Sequence, residues 1–256
     1  MKYKPTNREE LKALCDDKNI YLGDIDTSLI ADMSELFDSS YGSSRKDFSG
    51  VESWDVSNVE NMSHMFAGSP FNHPIDSWNV SKVTDMSYMF AYSSFNQPLN
   101  SWDVSKVEDM CGMFASSLFN HPIDSWNVSG CEDMCFMFHC ALFNQPIDQW
   151  NVSNVKDMNN MFSRSSFNQP LHSWDVSSVE DMQAMFFESV FNHPINSWDV
   201  SNVENMDGMF YDSPFNHPLD SWDVSSVEMM DGMFVSCPYS HSLESWGDKN
   251  PFKQDI

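Results

Sequence analysis

Basic residues are scarce in this chain, which has 13 lysines and arginines against 38 aspartates and glutamates and a formal net charge of −25 at pH 7. More than half of the basic residues precede Asp47, so the rest of the chain is more acidic still. A surface of this charge repels phosphate backbones, and we expect no nucleic-acid partner. Threonine is also rare, with three residues in the whole chain, which excludes an ice-binding face built on threonine ladders.

Long apolar segments are missing as well. No run of apolar residues approaches the length of a membrane span, so we expect no membrane insertion. The first residues lead into a polar segment instead of the apolar core of a signal peptide, which favours a cytoplasmic location. A surface or secreted location follows instead if a leader has been removed. The six cysteines stand at irregular positions and do not form a disulfide framework.

A repeat of 24 residues is the main feature that is present. Every tryptophan obeys it without one insertion: Trp54, Trp78, Trp102, Trp126, Trp150, Trp174, Trp198, Trp222 and Trp246. A fixed period between 20 and 50 residues is typical of architectures in which each repeat stacks on its neighbours.

Eight positions of the repeat are apolar in nearly every copy, and in the second copy they are Phe71, Ile75, Trp78, Val80, Val83, Met86, Met89 and Phe90. The last four follow the i, i+3, i+6, i+7 spacing that is typical of one helix face. Ser81 stands before this segment, and in most copies a glutamate follows the equivalent serine three residues later. This pattern matches a capping box and predicts a short helix that begins at the serine.

The other half of the repeat predicts a strand. Proline stands before an isoleucine or leucine in seven copies, and proline is tolerated at the first residue of a strand. We therefore expect a very short strand over residues 75–77 and its equivalents. The asparagine of each Phe-Asn pair is expected to form a ladder along a turn. The predicted fold is an α/β solenoid: a leucine-rich-repeat-like right-handed horseshoe with one very short strand and one short helix per coil and a parallel sheet on one face.

The chain divides into three parts that form one elongated domain. Residues 1–53 are predicted to be an N-terminal cap, with a helix over residues 7–17 and a first degenerate coil. In that coil Ile25 takes the tryptophan position, 29 residues before Trp54, and the extra residues fall in a loop near residues 43–47. Residues 54–238 hold eight 24-residue coils, and residues 239–256 hold a degenerate last coil and a C-terminal cap.

The pattern Phe-Asn-x-Pro-Leu-x-x-Trp-Asp-Val-Ser-x-Val-x-x-Met-x-x-Met-Phe resembles the repeat of the BspA-like leucine-rich repeat surface proteins of bacteria. Residues 25–28 and 47–50 also resemble segments of that family, and the resemblance covers about residues 20–246. It implies a leucine-rich-repeat-like solenoid with a role in surface adhesion or in binding a host or partner molecule. It supplies no catalytic residues.

A polar stripe is the candidate binding site. In horseshoe repeats, the outward side chains of the short strands line one face. Here those side chains are His73, Asp76, Gln97, Asn100, His121, Asp124, Gln145, Asp148, Gln169, His172, His193, Asn196, His217 and Asp220. The alternative is a solvated face without a partner. The sequence thus predicts a non-catalytic scaffold for an unidentified protein partner, present as a monomer or a weak homodimer.

Other functions are less well supported by the residues. No nucleophile, base and acid stand together outside the repeat, so we expect no enzyme activity and no cofactor. An acidic inhibitor that mimics nucleic acid is an alternative, because the negative charge per unit length approaches that of duplex DNA. A divalent-cation-binding repeat protein is another, since stacked aspartates offer oxygen ligands, although no calcium-loop motif is present.

One cluster breaks the repeat with reactive side chains. Cys131 replaces a core valine, Cys135 and His139 lie four residues apart, and Cys111 occupies the position of Cys135 one coil earlier. These residues are a conceivable zinc set. Structural cysteines are the alternative that we prefer, with Cys131 inside the core. A disulfide between Cys111 and Cys135 is a third alternative, because equivalent positions of neighbouring coils lie close together.

Overall fold

The computed structural model of the protein describes residues 2–40 and 43–252. One α-helix is present in this part of the chain, α1, which spans Arg8–Asp16. Short 3-10 helices span Leu22–Asp24, Val51–Ser53 and Glu244–Lys249. The N-terminal helix is therefore confirmed: the Asn7 side chain caps it by accepting from the amide of Glu10, and its apolar face is buried.

The rest of the chain forms coils of 24 residues that stack on one another. Single parallel bridges connect equivalent residues of neighbouring coils, beginning with Asp32 to Asn61 and Asn61 to Asp85 and ending with Asn205 to Met229. The offset of the first of these bridges equals that predicted for the degenerate first coil. Between residues 54 and 243, all of which the structure describes, no helix is present and no strand extends beyond one such bridge.

A turn segment, residues 85–92 and its equivalents, holds each coil to the next. The amides of Met62, His64 and Phe66 donate to the carbonyls of Asp85, Ser87 and Met89 in the following coil, at 2.9, 2.8 and 2.9 Å. The intervening amides form tight i to i+3 turns within their own coil, as Met65 does with Met62 at 3.2 Å. Half of the peptide groups in the segment therefore connect coils, and the other half shape the turn.

The predicted helix in each repeat is wrong. Tyr88 and Tyr92 have φ values of 53° and 56°, in the left-handed region, which a right-handed helix cannot include. The serine does not cap a helix either: the Ser81 hydroxyl donates to Oδ1 of Asn79 at 2.7 Å and closes a local turn. The apolar spacing of three residues is satisfied by tight turns that begin and end on apolar residues, as the turn from Val80 to Val83 does with a 2.9 Å hydrogen bond.

The predicted strand is wrong as well. At residues 75–77 the backbone turns, because the amide of Trp78 donates to the carbonyl of Ile75 at 3.0 Å. The contact with the next coil is made by a side chain: Oδ1 of Asp76 accepts from the amide of Ser101 at 2.9 Å. With neither element in the repeat, the α/β horseshoe with a parallel sheet is overturned, and the described residues form no sheet.

Aromatic columns fill the core, and the eight apolar positions of the repeat point inward. Phe66 stacks on Phe90 with ring centroids 5.8 Å apart, and Trp102 stacks on Trp126 at 6.5 Å. The indole of Trp126 donates to the carbonyl of Leu99 in the preceding coil at 2.9 Å, so its polar nitrogen is satisfied inside the core. The stacking of the phenylalanines continues from coil to coil, and the indole bond recurs at every tryptophan except Trp78, whose Nε1 is buried without a partner among the described residues.

Different contacts cover the two ends of the stack of coils. At the N-terminal end, Nε of Arg8 on α1 donates to the carbonyl of Ser34 in the first coil at 2.6 Å. Arg45, in the predicted loop, is 7% exposed and donates to the carbonyls of Cys15, Asp17 and Ile20. At the C-terminal end, Phe252 stacks on the Phe234 ring of the eighth 24-residue coil at 5.6 Å. No described helix is both long and apolar enough to cross a bilayer.

Candidate binding face

The predicted polar stripe lies at the surface, and every one of its residues is partly or fully exposed. An asparagine ladder runs beside it: Oδ1 of Asn72 accepts from the amide of Asn96 at 2.9 Å, and the same bond recurs in the following coils. The asparagine ladder predicted from the sequence is therefore confirmed. Because each bond fixes one coil against the next, the side chains of the stripe are held at regular intervals.

The residue after each ladder asparagine is also tied to the preceding coil. Nε2 of Gln97 donates to Oδ1 of Asn72 at 3.2 Å. Where the residue is a histidine, Nε2 lies within hydrogen-bond distance of a backbone carbonyl, as in His121 with Asn96 at 3.1 Å. These side chains therefore support the coil stacking and present their remaining edges to solvent.

The second half of the stripe follows three residues later. Four of its six aspartate and asparagine side chains accept from the serine of the next coil, as Asp148 does from the amide and hydroxyl of Ser173, both at 2.9 Å. His172 lies 3.6 Å from the same Asp148 carboxylate. The structure thus brings the predicted residues into two parallel columns, and whether a partner binds them stays a prediction.

An exposed apolar column accompanies the stripe, and sequence reasoning missed it. Leu118, Leu142 and Val190 are about half exposed, at 51%, 52% and 50%. They stand at one repeat position, three residues before the first column of the stripe, where Ser94 and Ser166 stand in other coils. The sequence does contain a sign of this column: large apolar residues stand at a position where other coils have serine, which indicates that the position is exposed. We call the stripe together with this column the candidate face.

Aspartates also form two columns outside the candidate face, and the pKa shifts of Asp103 in one column and Asp133 in the other have opposite directions. Asp103 is exposed, and the Ser105 hydroxyl and amide lower the pKa of its carboxyl. The bridge residues Asp85, Asp109, Asp133, Asp157 and Asp181, which we call the bridge column, are stacked on one another. Burial raises the pKa of the Asp133 carboxyl to about 6, and the charges of its neighbours in the column also raise it.

The cysteines separate into two groups. Cys131 is fully buried, as preferred for a structural cysteine, and burial raises the pKa of its thiol to about 12. Cys111 and Cys135 form a disulfide with their Cα atoms 4.6 Å apart. His139 instead lies 3.3 Å from the Cys140 sulfur. The predicted four-residue zinc set is therefore not brought together.

The repeat matches the model of one known protein family. Four overlapping stretches, residues 9–117, 31–144, 91–190 and 137–246, match the model of a family described as "Mycoplasma protein of unknown function, DUF285". The chain belongs to this family. No curated protein and no solved structure gives a significant match.

Membership in DUF285 confirms the repeat character of the chain, because successive matches begin in different coils and overlap along it. The match does not extend to the BspA-like surface proteins, whose repeat this sequence resembles.

Proposed function

We propose that this DUF285 protein is a non-catalytic scaffold that binds another protein through the candidate face. The observation that supports the proposal is the exposed column of Leu118, Leu142 and Val190 beside a ladder of polar side chains. Exposed apolar groups that lie in register, rimmed by polar groups, mark interaction surfaces. The fixed spacing of the coils lets several weak contacts act together on one partner.

The chemistry of the partner follows from the charge of the face. Asp76, Asp124, Asp148 and Asp220 contribute carboxylates to a molecule with a net charge of −25. A partner surface that combines basic side chains with an apolar patch is complementary to this arrangement, and its association will be faster at low salt. The resemblance of the repeat to BspA-like surface proteins supports an adhesive role of this kind.

A non-catalytic role is supported by how the polar groups are used. The stripe side chains already hydrogen-bond between coils, as Gln97 and Asp148 do. Side chains whose hydrogen-bonding groups already hold one coil to the next form a surface of fixed shape. A catalytic side chain instead needs a free donor or acceptor within reach of the substrate.

The test compares three immobilised proteins: the natural chain, a face variant and a control variant. The face variant carries Leu118→Ser, Leu142→Ser and Val190→Ser, substitutions that the repeat tolerates because Ser94 and Ser166 stand at the same position. The control variant carries Glu180→Gln and Glu204→Gln, which change exposed charges on another column.

We expect a partner that is retained by the natural chain and the control variant and lost by the face variant. Its affinity should fall as salt is added, since the carboxylates of the face contribute to binding. A partner retained equally by all three proteins would rule out the candidate face as the binding surface.

A further inference from the structure

Cysteine replaces serine at one repeat position in two successive coils. In the earlier coils this position is Ser63 and Ser87, and each serine donates its amide and its hydroxyl to the aspartate or asparagine of the bridge two residues earlier. Cys111 and Cys135 keep the amide bond, at 2.8 Å in both coils. The thiols make no equivalent bond to the carboxylate, so two sulfurs from adjacent coils lie side by side.

A carboxylate completes a group of three donors. The two sulfurs and a carboxylate oxygen of Asp133 lie within 4.8 Å of one another. Cys111 and Cys135 are only 9% and 8% exposed, so water competes weakly for these donors. Oδ1 of Asp133 accepts from the Cys135 amide, and Oδ2 accepts from no group among the described residues.

We propose that the reduced protein binds a thiophilic divalent cation, for which Zn²⁺ is the probe, through Cys111, Cys135 and Asp133. Zinc prefers thiolate and carboxylate donors at about 2.3 and 2.0–2.2 Å, which places the donors of a tetrahedral site roughly 3.3–3.8 Å apart. Once the disulfide is reduced, the sulfurs separate to about this distance by van der Waals repulsion. Small side-chain rotations bring the carboxylate oxygen into reach, and water fills the fourth position.

The surroundings favour a cation. Asp109 and Asp157 flank Asp133 in the bridge column, one coil away on each side. Their negative potential attracts a divalent cation, and the bound charge in turn relieves the repulsion within the column. Binding converts two thiols into thiolates and releases two protons, so affinity will rise with pH.

The disulfide is the competing state of the same two sulfurs. Joining them removes two electrons and two protons from the thiols, and a small disulfide such as glutathione disulfide can accept the electrons as it is reduced to two thiols. A disulfide sulfur is not a thiolate donor. The oxidised protein therefore binds no zinc at this place, and oxidation state becomes an internal control.

The chain supplies matched variants for the test. Cys111→Ser and Cys135→Ser restore the residue that Ser63 and Ser87 provide at the same position, and Asp133→Asn restores the residue that Asn61 provides. Cys237→Ser is the control, because serine stands at its equivalent position in most coils and Cys237 lies about 100 residues along the chain from Cys135. Far-UV circular dichroism and thermal melts establish that each variant is folded.

Reduced, chelator-stripped protein is titrated with Zn²⁺ in competition with a chromophoric chelator, and with Co²⁺ while thiolate-to-cobalt and d–d absorption bands are recorded. We expect one equivalent to bind with tetrahedral bands, an affinity loss of about 100-fold or more in either serine variant, and about tenfold or more in Asp133→Asn, in line with lost ligands. Cys237→Ser should bind as the natural chain does.

Less than about a tenth of an equivalent bound by the folded, reduced protein would overturn the proposal, as would binding that persists in the serine variants or after oxidation by glutathione disulfide. These outcomes are independent of the candidate face, which lies on another part of each coil.

Discussion

Aspartate has opposite effects on stability at two positions of the repeat. In the exposed Trp-Asp-Val-Ser turn, the Ser105 amide and hydroxyl stabilise the ionised form of Asp103 and lower the pKa of its carboxyl. In the bridge column, burial raises the pKa of the Asp133 carboxyl to about 6, so the folded protein favours its protonated form. Both residues are aspartates. The number of hydrogen-bond donors to the carboxylate and the burial of the carboxylate decide whether its pKa is lowered or raised.

We predict that Asp133→Asn stabilises the protein at neutral pH. The unfolded carboxyl has a pKa near 3.8 and the folded one about 6, so the contribution of Asp133 to stability is full below pH 3.8 and is lost as pH rises through 6. Asparagine cannot ionise and fits the column at Asn61 and Asn205. After allowance for solvent screening, the free energy of unfolding should increase by about 1–2 kcal/mol at pH 7.5 and by about a third of that at pH 4.5, where the unfolded carboxyl is already largely ionised.

Chemical denaturation at the two pH values measures the effect. Asp103→Asn is the matched control, because Asn79 and Asn127 stand at the same turn position. Since the fold favours ionised Asp103, this variant should gain no stability at pH 7.5. If the Asp133→Asn protein is no more stable than the natural chain at pH 7.5, the raised pKa assigned to Asp133 is refuted.

The apolar pattern of the sequence predicts only part of the structure of each coil. The pattern correctly predicts which side chains are buried, since Val83, Met86 and Phe90 all point inward. It does not predict the backbone, because a spacing of three residues fits both a helix face and a chain of tight turns. The left-handed residues that decide between them include tyrosine, histidine and alanine as well as glycine, so no residue type marks the turn in the sequence.

Interior coils should depend on their tryptophan more than the last coil does. Trp126 is stacked between Trp102 and Trp150, at 6.5 and 6.4 Å, whereas Trp246 stacks on Trp222 alone among the described tryptophans. We predict that Trp126→Ala lowers the free energy of unfolding by roughly 3–5 kcal/mol, from lost burial and the cavity left in the core. Trp246→Ala should cost less.

Urea denaturation of both variants provides the comparison, with the slope of the transition checked to confirm that a single cooperative unit unfolds. Equal losses at the two positions would show that stacking on both sides contributes nothing, and an unchanged Trp126→Ala protein would contradict the stacked core itself.

Backbone hydrogen bonds of the turn segments connect each coil to the next along the whole molecule. The amides of Met86, Tyr88 and Phe90 donate to carbonyls of the following coil. At the start of the same segment the amide of Asp85 donates to the carbonyl of Glu60 in the preceding coil. The last turn segment, residues 229–236, has no further turn segment beyond it among the described residues. Its amides at residues 230, 232, 234 and 236 donate to no acceptor there, whereas the equivalent amides one coil earlier all do.

At this scale the sequence predicts the stacking, the surface position of the stripe and the closeness of Cys111 to Cys135, because all three follow from the period of 24 residues. It does not predict the exposed column of Leu118, Leu142 and Val190, since that position varies along the repeat. Nor does it predict that side chains such as Asp76 replace a backbone ladder, because the same residue suits a strand edge or a turn.

Hydrogen exchange followed by NMR tests the coil-to-coil bonding most directly. The informative amides are the interior set, Met206, Gly208, Phe210 and Asp212, and the terminal set, Met230, Gly232, Phe234 and Ser236. Because only the interior set donates to a following coil, its protection factors should exceed those of the terminal set on the order of 100-fold. If each segment were a helix bonded within itself, both sets would be protected alike, and equal protection would contradict this account.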